Sequence, residues 1–287
     1  MGNRACASGG RCGVLVIGAW LAGSAAAAVV TTPAGVLVGP AGDAPVAEVW
    51  QRTNVRVGSS AGITADYPNA STASGLLTSD SVNGKADWQY LAATPLGPLS
   101  SFRSATYQWY RDGASTVAGH FSPLLRMLVD VDGNPATTDL AWVIYERGAI
   151  DAVTPVPTDT WVTETIDGDT RVWVHQVGST NNQVPYTRMA DFAAGTHVPE
   201  AGGTQITGAS LILGLQAGIG SGWDGVFRGA VDHIGLVAQR SLGPDNFELA
   251  PPPPSPAPAA VPAASWWSLL GLGSLLVCWG AWRRRRA

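Results

Sequence analysis

From residue 46 to residue 237 the sequence is a succession of short runs rich in Val, Thr, Trp and Tyr, each closed off by Gly, Asp or Pro. VAEVWQRTNVRV at 46–57, ATYQWYR at 105–111, PLLRMLVDVD at 123–132 and LAWVIYE at 140–146 come first. TWVTETI at 160–166, TRVWVHQV at 170–177, SLILGLQAG at 210–218 and GVFRGAVDHIGLV at 225–237 follow. β-Branched and aromatic residues suit a pleated, half-buried surface, and Gly, Asp and Pro interrupt one. The period of two is explicit at 170–177, where Val172, Val174 and Gln176 oppose Trp173, His175 and Val177. Only YTRMADFAAG, 186–195, suggests a helix, and a short one. There is no strand–helix alternation, which excludes a parallel α/β sheet. The expected fold is all-β: a single jelly-roll-type β-sandwich over residues 44–240, preceded by a segment at 29–43. Asp167-Gly168 predicts a hairpin turn, and VDVDGNPATTDLAWV predicts a second hairpin with a longer loop.

The two ends are of another kind. Residues 265–282 are 18 residues without a charge, about 27 Å of helix at roughly 1.5 Å per residue, enough for a thin hydrocarbon core. Trp266 and Trp267 stand at one edge and Trp279 and Trp282 at the other, where indoles favour the lipid–water interface. Arg283, Arg284, Arg285 and Arg286 follow, a cluster that stays on the cytoplasmic side. A transmembrane helix is therefore expected at 265–282, with a buried core helix as the alternative. At the other end, Arg4 and Arg11 precede an apolar stretch from Val14 to Leu21 and then Ala26-Ala27-Ala28, the pattern of a signal peptide over 1–28. Residues 241–264 read as a linker ending in APPPPSPAPAAVPAA, 250–264. Proline this dense favours extended polyproline II, a stalk of up to roughly 45 Å at about 3.1 Å per residue.

Charge and cysteine agree with export. Between leader and tail lie 11 basic and all 21 acidic side chains, a net charge of −10, which argues against nucleic acid or anionic lipid as a partner. Cys6 and Cys12 fall in the leader and Cys278 in the apolar tail, so the body has no disulfide framework or zinc–thiolate site.

The tail, 261–287, resembles the PEP-CTERM family of bacterial surface-sorting signals and its IPTL-CTERM relatives: a short proline motif, an apolar span and a terminal arginine cluster. The motif here is Val261-Pro262-Ala263-Ala264-Ser265-Trp266, followed by Trp267. Ala263 and Ala264 stand where the PEP form has Glu and Pro. Pro262, Ser265 and Trp267 match the IPTL form. The resemblance implies processing by an exosortase-type membrane protease and delivery to the cell surface. In the body, LAWVIYE, Trp161 after VPTDT, and GSGWDGVFRGAVDHIGL resemble secreted jelly-roll sandwiches of the carbohydrate-binding kind.

Two motifs suggest other chemistry. GSSAG, 58–62, fits the G-x-S-x-G nucleophile elbow, but ITADYPNASTASG after it has no helical period, as the elbow requires. GSGWDG, 220–225, fits G-x-G-x-x-G, but a strand follows where a helix must open. His120, His175, His197 and His233 are isolated and predict no zinc site. Asp130, Asp132, Asn134 and Asp139 place four hard oxygen donors within ten residues, which suits Ca²⁺. The loop is not an EF-hand, since Gly133 stands at its fourth position and Ala141 at its twelfth; a solvated turn is the alternative. Asp151, Asp159, Glu164, Asp167 and Asp169 cluster in sequence without defining a catalytic pair. No catalytic residue is assigned.

Aromatics remain. Seven tryptophans lie in the body: Trp50, Trp88, Trp109, Trp142, Trp161, Trp173 and Trp223. Most are expected to fill the core. Tyr107, Trp109 and Arg111 share one strand face, and Trp223 sits in a Gly-rich loop beside Asp224, where exposure is expected. Trp109 and Trp223 are thus the candidate glycan contacts. The expected function is a non-enzymatic, exported, membrane-anchored or surface-sorted protein of the envelope or matrix, touching extracellular polysaccharide, with neutral polymers suited to an acidic body. A purely structural matrix component and a secreted glycan-active enzyme are the alternatives.

Overall fold

The computed structural model describes residues 26–31, 36–37, 46–134, 137, 139–177, 183–197 and 205–252. The leader before residue 26 and the sorting tail, with its motif and span, lie outside these residues. Among the described residues no helix is long and apolar enough to cross a membrane.

The chain forms β1 (Val29–Val30), β2 (Val36–Leu37), β3 (Trp50–Thr53), β4 (Ser59–Thr64), β5 (Ser74–Ser79), β6 (Ala86–Leu91), β7 (Gly97–Pro98) and β8 (Ser104–Arg111). After these come β9 (Leu124–Asp130), β10 (Leu140–Tyr145), β11 (Trp161–Ile166), β12 (Arg171–Gln176), β13 (Gln183–Arg188), β14 (Leu211–Ile219), β15 (Phe227–Val237) and β16 (Leu242–Phe247). Two short helices, α1 (Arg147–Ile150) and α2 (Met189–Ala193), interrupt them. One sheet has seven strands. In it β15 is flanked on one side by β8 and then β11, and on the other by β5 and β16. The second has the order β13-β12-β10-β9-β14-β6-β3-β2, with β7 on β14 beyond the end of β6. The chain passes repeatedly from one sheet to the other, and the two inner faces share one apolar core.

That core follows from the period of two. In β8 the buried positions are Ala105, Tyr107, Trp109 and Arg111, and the alternate positions are partly exposed. In β12 Val172 and Val174 are buried, and Trp173 and His175 on the opposite face are partly exposed. The sheets meet through rings: Phe247 of β16 packs against Trp50 of β3 and Trp88 of β6, with centroids 5.5 and 4.8 Å away. Edge-on and tilted pairs of this kind add about 0.5–1.5 kcal/mol each beyond the area they bury. Gly214 marks a tight strand approach: a Cβ there would stand 2.1 Å from the Tyr90 carbonyl oxygen, so β14 and β6 could not keep their spacing around a side chain.

Several sequence expectations change. The sandwich does not stop at residue 240. β16 continues it to Phe247, and β1 pairs with β16. Asp245 ties this corner, accepting the Ala28 N–H at 2.8 Å and the Trp50 indole N–H at 2.9 Å. SLGPDNF has little strand propensity; the open edge of β15 and these hydrogen bonds override it. Asp167-Gly168 does not close a hairpin, because β11 pairs with β8 in one sheet while β12 pairs with β10 in the other. The 130–139 loop does close one, with Asp130 opposite Leu140. The helix expected at 186–195 shrinks to Met189–Ala193, since the residues before it extend β13.

β9 is buried at every position. Leu125, Met127 and Val129 belong to the core, so Arg126 on the opposite face is covered by something else.

Candidate functional site

What covers Arg126 is a row of side chains on the outer face of the nine-stranded sheet. Strand register places Trp173, Ile144, Arg126, Gln216, Gln89 and Gln51 side by side across β12, β10, β9, β14, β6 and β3. The Arg126 guanidinium donates to Gln216 Oε1 at 2.6 Å and to Asp87 Oδ1 at 2.7 Å. Gln216 Nε2 donates onward to Gln89 Oε1 at 3.0 Å. Asp87 is fully buried, and its second oxygen accepts from Asn54 at 2.8 Å. Asn54 reaches it from a left-handed backbone conformation, φ 53°, which asparagine tolerates better than most residues.

Above this floor lies a solvent-open cleft of about 340 Å³. Trp142, Trp173 and His175 line it from β10 and β12, Asn54 and Lys85 from beside β3 and β6, and Trp223 with Gly220 and Ser221 from the loop before β15. Trp142 and His175 are directly paired across β10 and β12. Trp142, Trp173 and His175 keep part of their surface open.

Lys85, His175 and Glu146 are shifted from their ordinary values. Burial, followed by repulsion from Arg126, brings the Lys85 ammonium down to about 8, although Asp87 opposes the shift. Burial also lowers His175, helped by Lys85 and Arg126. Burial pushes the Glu146 carboxyl up, and Arg126, Trp173 and His120 bring it part of the way back.

The two tryptophans nominated from sequence are placed differently from expectation. Trp109 is fully buried and donates its indole N–H to Glu164 at 3.2 Å, so it has no face for a ligand. It does share a strand face with Tyr107 and Arg111, but that face points inward. Trp223 is 5% exposed rather than exposed, because it stacks on Phe121 at 4.7 Å and meets Phe227 edge-on at 5.5 Å. It reaches the cleft only as part of the wall. Trp142 and Trp173 were not singled out from sequence. The signal was present in TRVWVHQV, where valines take one face and Trp173 and His175 the other, but the alternation does not say which sheet face holds a cleft.

The other motifs resolve as strands and turns. GSSAG lies largely in β4, and GSGWDG is a loop that leads into β15. Of the five clustered carboxylates none lines the cleft, and Glu164 is engaged by Arg147 at 2.7 Å and Tyr145 at 3.0 Å. Asp130, Asp132 and Asp139 do come together, with one carboxylate oxygen of each within 4.8 Å of the others. Thr137 cross-links them, donating to or sharing its hydroxyl with Asp132 at 3.1 Å and Asp139 at 2.8 Å. Asn134 joins through its backbone N–H to Asp132 at 2.7 Å. Burial raises the Asp130 carboxyl, the neighbouring Asp139 and Asp132 add to the rise, and the Gly133 N–H opposes it.

No family model matches the sequence, and no curated protein matches it. Among solved structures, the chain is similar to a family 11 carbohydrate-binding module from Clostridium thermocellum in complex with a β-1,3-1,4-mixed-linked tetrasaccharide. That match has 14% identity, covers 68% of this chain and 90% of the other, and has a TM-score of 0.37. The family 11 module of a cellulosomal cellulase of the same organism aligns at 11% identity, 69% and 89% coverage and TM-score 0.36. A carbohydrate-binding module of the β-sandwich superfamily aligns at 15% identity, 68% and 56% coverage and TM-score 0.33. At these scores the sandwich architecture rests on the strand pairing of this chain itself.

Proposed function

We propose that this protein is a non-catalytic glycan-binding β-sandwich whose site is the cleft on the nine-stranded sheet. The observation that carries the reading is the pairing of two part-exposed indoles, Trp142 and Trp173, with a floor of amide and guanidinium groups already locked in hydrogen bonds. Indole faces stack on the C–H faces of sugar rings, and prearranged polar groups fix hydroxyls without further ordering. Glu146 is the one carboxylate among the described lining residues, whereas glycoside hydrolysis by the usual route needs two across the bond. That favours binding over turnover.

Trp142→Ala and Trp173→Ala are each expected to weaken polysaccharide binding about tenfold, the loss of one stacked ring worth roughly 1–1.5 kcal/mol. Trp161→Ala, on the other sheet, is the control and leaves affinity unchanged. Tryptophan fluorescence titration of the full chain against a polysaccharide panel measures this. No quenching by any member would instead support the purely structural reading.

Delivery is the second part of the proposal: an exported body held at the envelope or surface by the 261–287 tail, after processing by an exosortase-type protease. The support is the three-part tail sequence. The intact chain is expected to fractionate with membranes or the cell surface, and a chain ending at Ala250 to be released. Equal secretion of both would refute the anchor.

The calcium expectation attaches to the three converging carboxylates. Calcium at a hundredfold excess over Kd would stabilise the fold by about 2.7 kcal/mol, since only the native state gathers the ligands. A melting temperature indifferent to millimolar Ca²⁺, or a shift that survives Asp130→Asn with Asp132→Asn, removes it.

A further inference from the structure

The body is acidic, but its cleft is not. Asp87 is one buried carboxylate facing two cations. Its Oδ1 is taken by Arg126 at 2.7 Å and its Oδ2 by the Asn54 amide at 2.8 Å. The Lys85 ammonium stands back at 3.7 Å, beyond hydrogen-bond distance. One positive charge is therefore surplus here. It sits on a lysine side chain that is only 20% exposed and lines the cleft. An ammonium has three donors, and the carboxylate oxygen it pairs with, Asp87 Oδ2 at 3.7 Å, is already held by Asn54. Glu146, the other charge of opposite sign at the cleft, lies three strand spacings away on the far side of β9 and β14. It does not neutralise Lys85 at close range.

We propose that the cleft selects an acidic saccharide, laid across the strands with one ring against Trp142 and Trp173 and a ring carboxylate of the same chain at Lys85. This rests on the glycan-binding reading and adds the ligand's charge class to it. The net charge of the body does not oppose it. At physiological salt a surface carboxylate more than about 8 Å away is largely screened, while a partly buried ammonium facing a bound carboxylate is not. A charge-assisted hydrogen bond is roughly twice as strong as a neutral one, so the carboxylate at Lys85 separates an acidic ligand from its neutral counterpart. Neutral polymers, the expectation from the overall charge, become the weaker ligands.

The test uses the full chain and matched hexasaccharide pairs that differ in charge: oligogalacturonate and its methyl ester, oligomannuronate and mannohexaose, and oligoglucuronate of the cellulose type and cellohexaose. Fluorescence titration gives the ratio of acidic to neutral affinity within each pair. The ratio is expected to be about ten in the pair that binds, equivalent to ~1.4 kcal/mol. Lys85→Gln should bring it to about one, and Lys85→Arg, which keeps the charge, should preserve it. A ratio of one or less in every pair that binds overturns the charge selection and leaves the glycan reading standing. So does a preference that survives Lys85→Gln. Absence of binding by all six sugars overturns the glycan reading, and this inference with it.

Discussion

Replacing Asp87 by alanine is expected to lower the free energy of unfolding by about 3–5 kcal/mol, the cost typical of removing one partner from a buried ion pair. Asp87 has no exposed surface, and the Arg126 side chain that it holds is nearly as enclosed. Without the carboxylate, the guanidinium keeps its bond to Gln216 but loses its counter-charge in a place water hardly reaches. Asn54 and Lys85 lose their partner at the same time. The pair is not thereby a net gain over apolar packing. Asp87→Ala combined with Arg126→Met should recover part of the loss, because the second change removes the charge that the first leaves stranded. Urea denaturation of the wild type, both single variants and the double variant closes the cycle. A single-variant loss within about 1 kcal/mol of zero would mean that water reaches Arg126 and that the cleft floor is not preordered.

Asp232→Asn is expected to act in the opposite direction, raising stability at pH 7–8 by about 1–3 kcal/mol. Asp232 is fully buried on β15. Its Oδ1 accepts the N–H groups of Phe247 and His233, both at 2.9 Å, while Oδ2 has no hydrogen bond and faces the His233 imidazole at 3.3 Å. Burial pushes the carboxyl up to about 6, against the pull of the two N–H groups and of His233. The folded state therefore binds this proton more tightly than the unfolded chain, whose aspartate titrates near about 4. Stability from this group is present below pH ~4 and is lost as pH rises through about 6. Asparagine keeps the oxygen that accepts both N–H groups and removes the charge. The variant should match the wild type near pH 4 and exceed it above pH 6. Glu248, held down at about 2 chiefly by Ser71 and Thr72 against the opposing effect of burial, contributes the reverse slope in acid, but equally in both proteins. Parallel stability curves from pH 4 to pH 8 would refute the assignment.

The sequence by itself determined the class of fold and excluded whole chemistries. Valine, threonine and aromatic runs with a period of two have one stable use, a half-buried strand, and that information is local. It was enough to set Val172 and Val174 on the face opposite Trp173 and His175, to close β9 and β10 into a hairpin, and to read GSSAG and GSGWDG as neither an elbow nor a phosphate loop. Even so, β4, β5 and β6 passed unannounced, because Gly, Ser and Asp dilute their pattern. β16 was missed for a stronger reason: SLGPDNF becomes a strand only because the edge of β15 and the Asp245 hydrogen bonds hold it there. The same limit governs the site. Period two says that Trp173 and Val172 point opposite ways, and that Trp109 and Tyr107 point the same way. It cannot say which of two faces becomes core and which becomes cleft, since that depends on strands far apart in the chain. Asp87 and Arg126 are 39 residues apart, and Gln216 is a further 90 beyond Arg126. Only the tertiary pairing of β6, β9 and β14 brings them together, and with them the two cations of a cleft in an otherwise acidic domain.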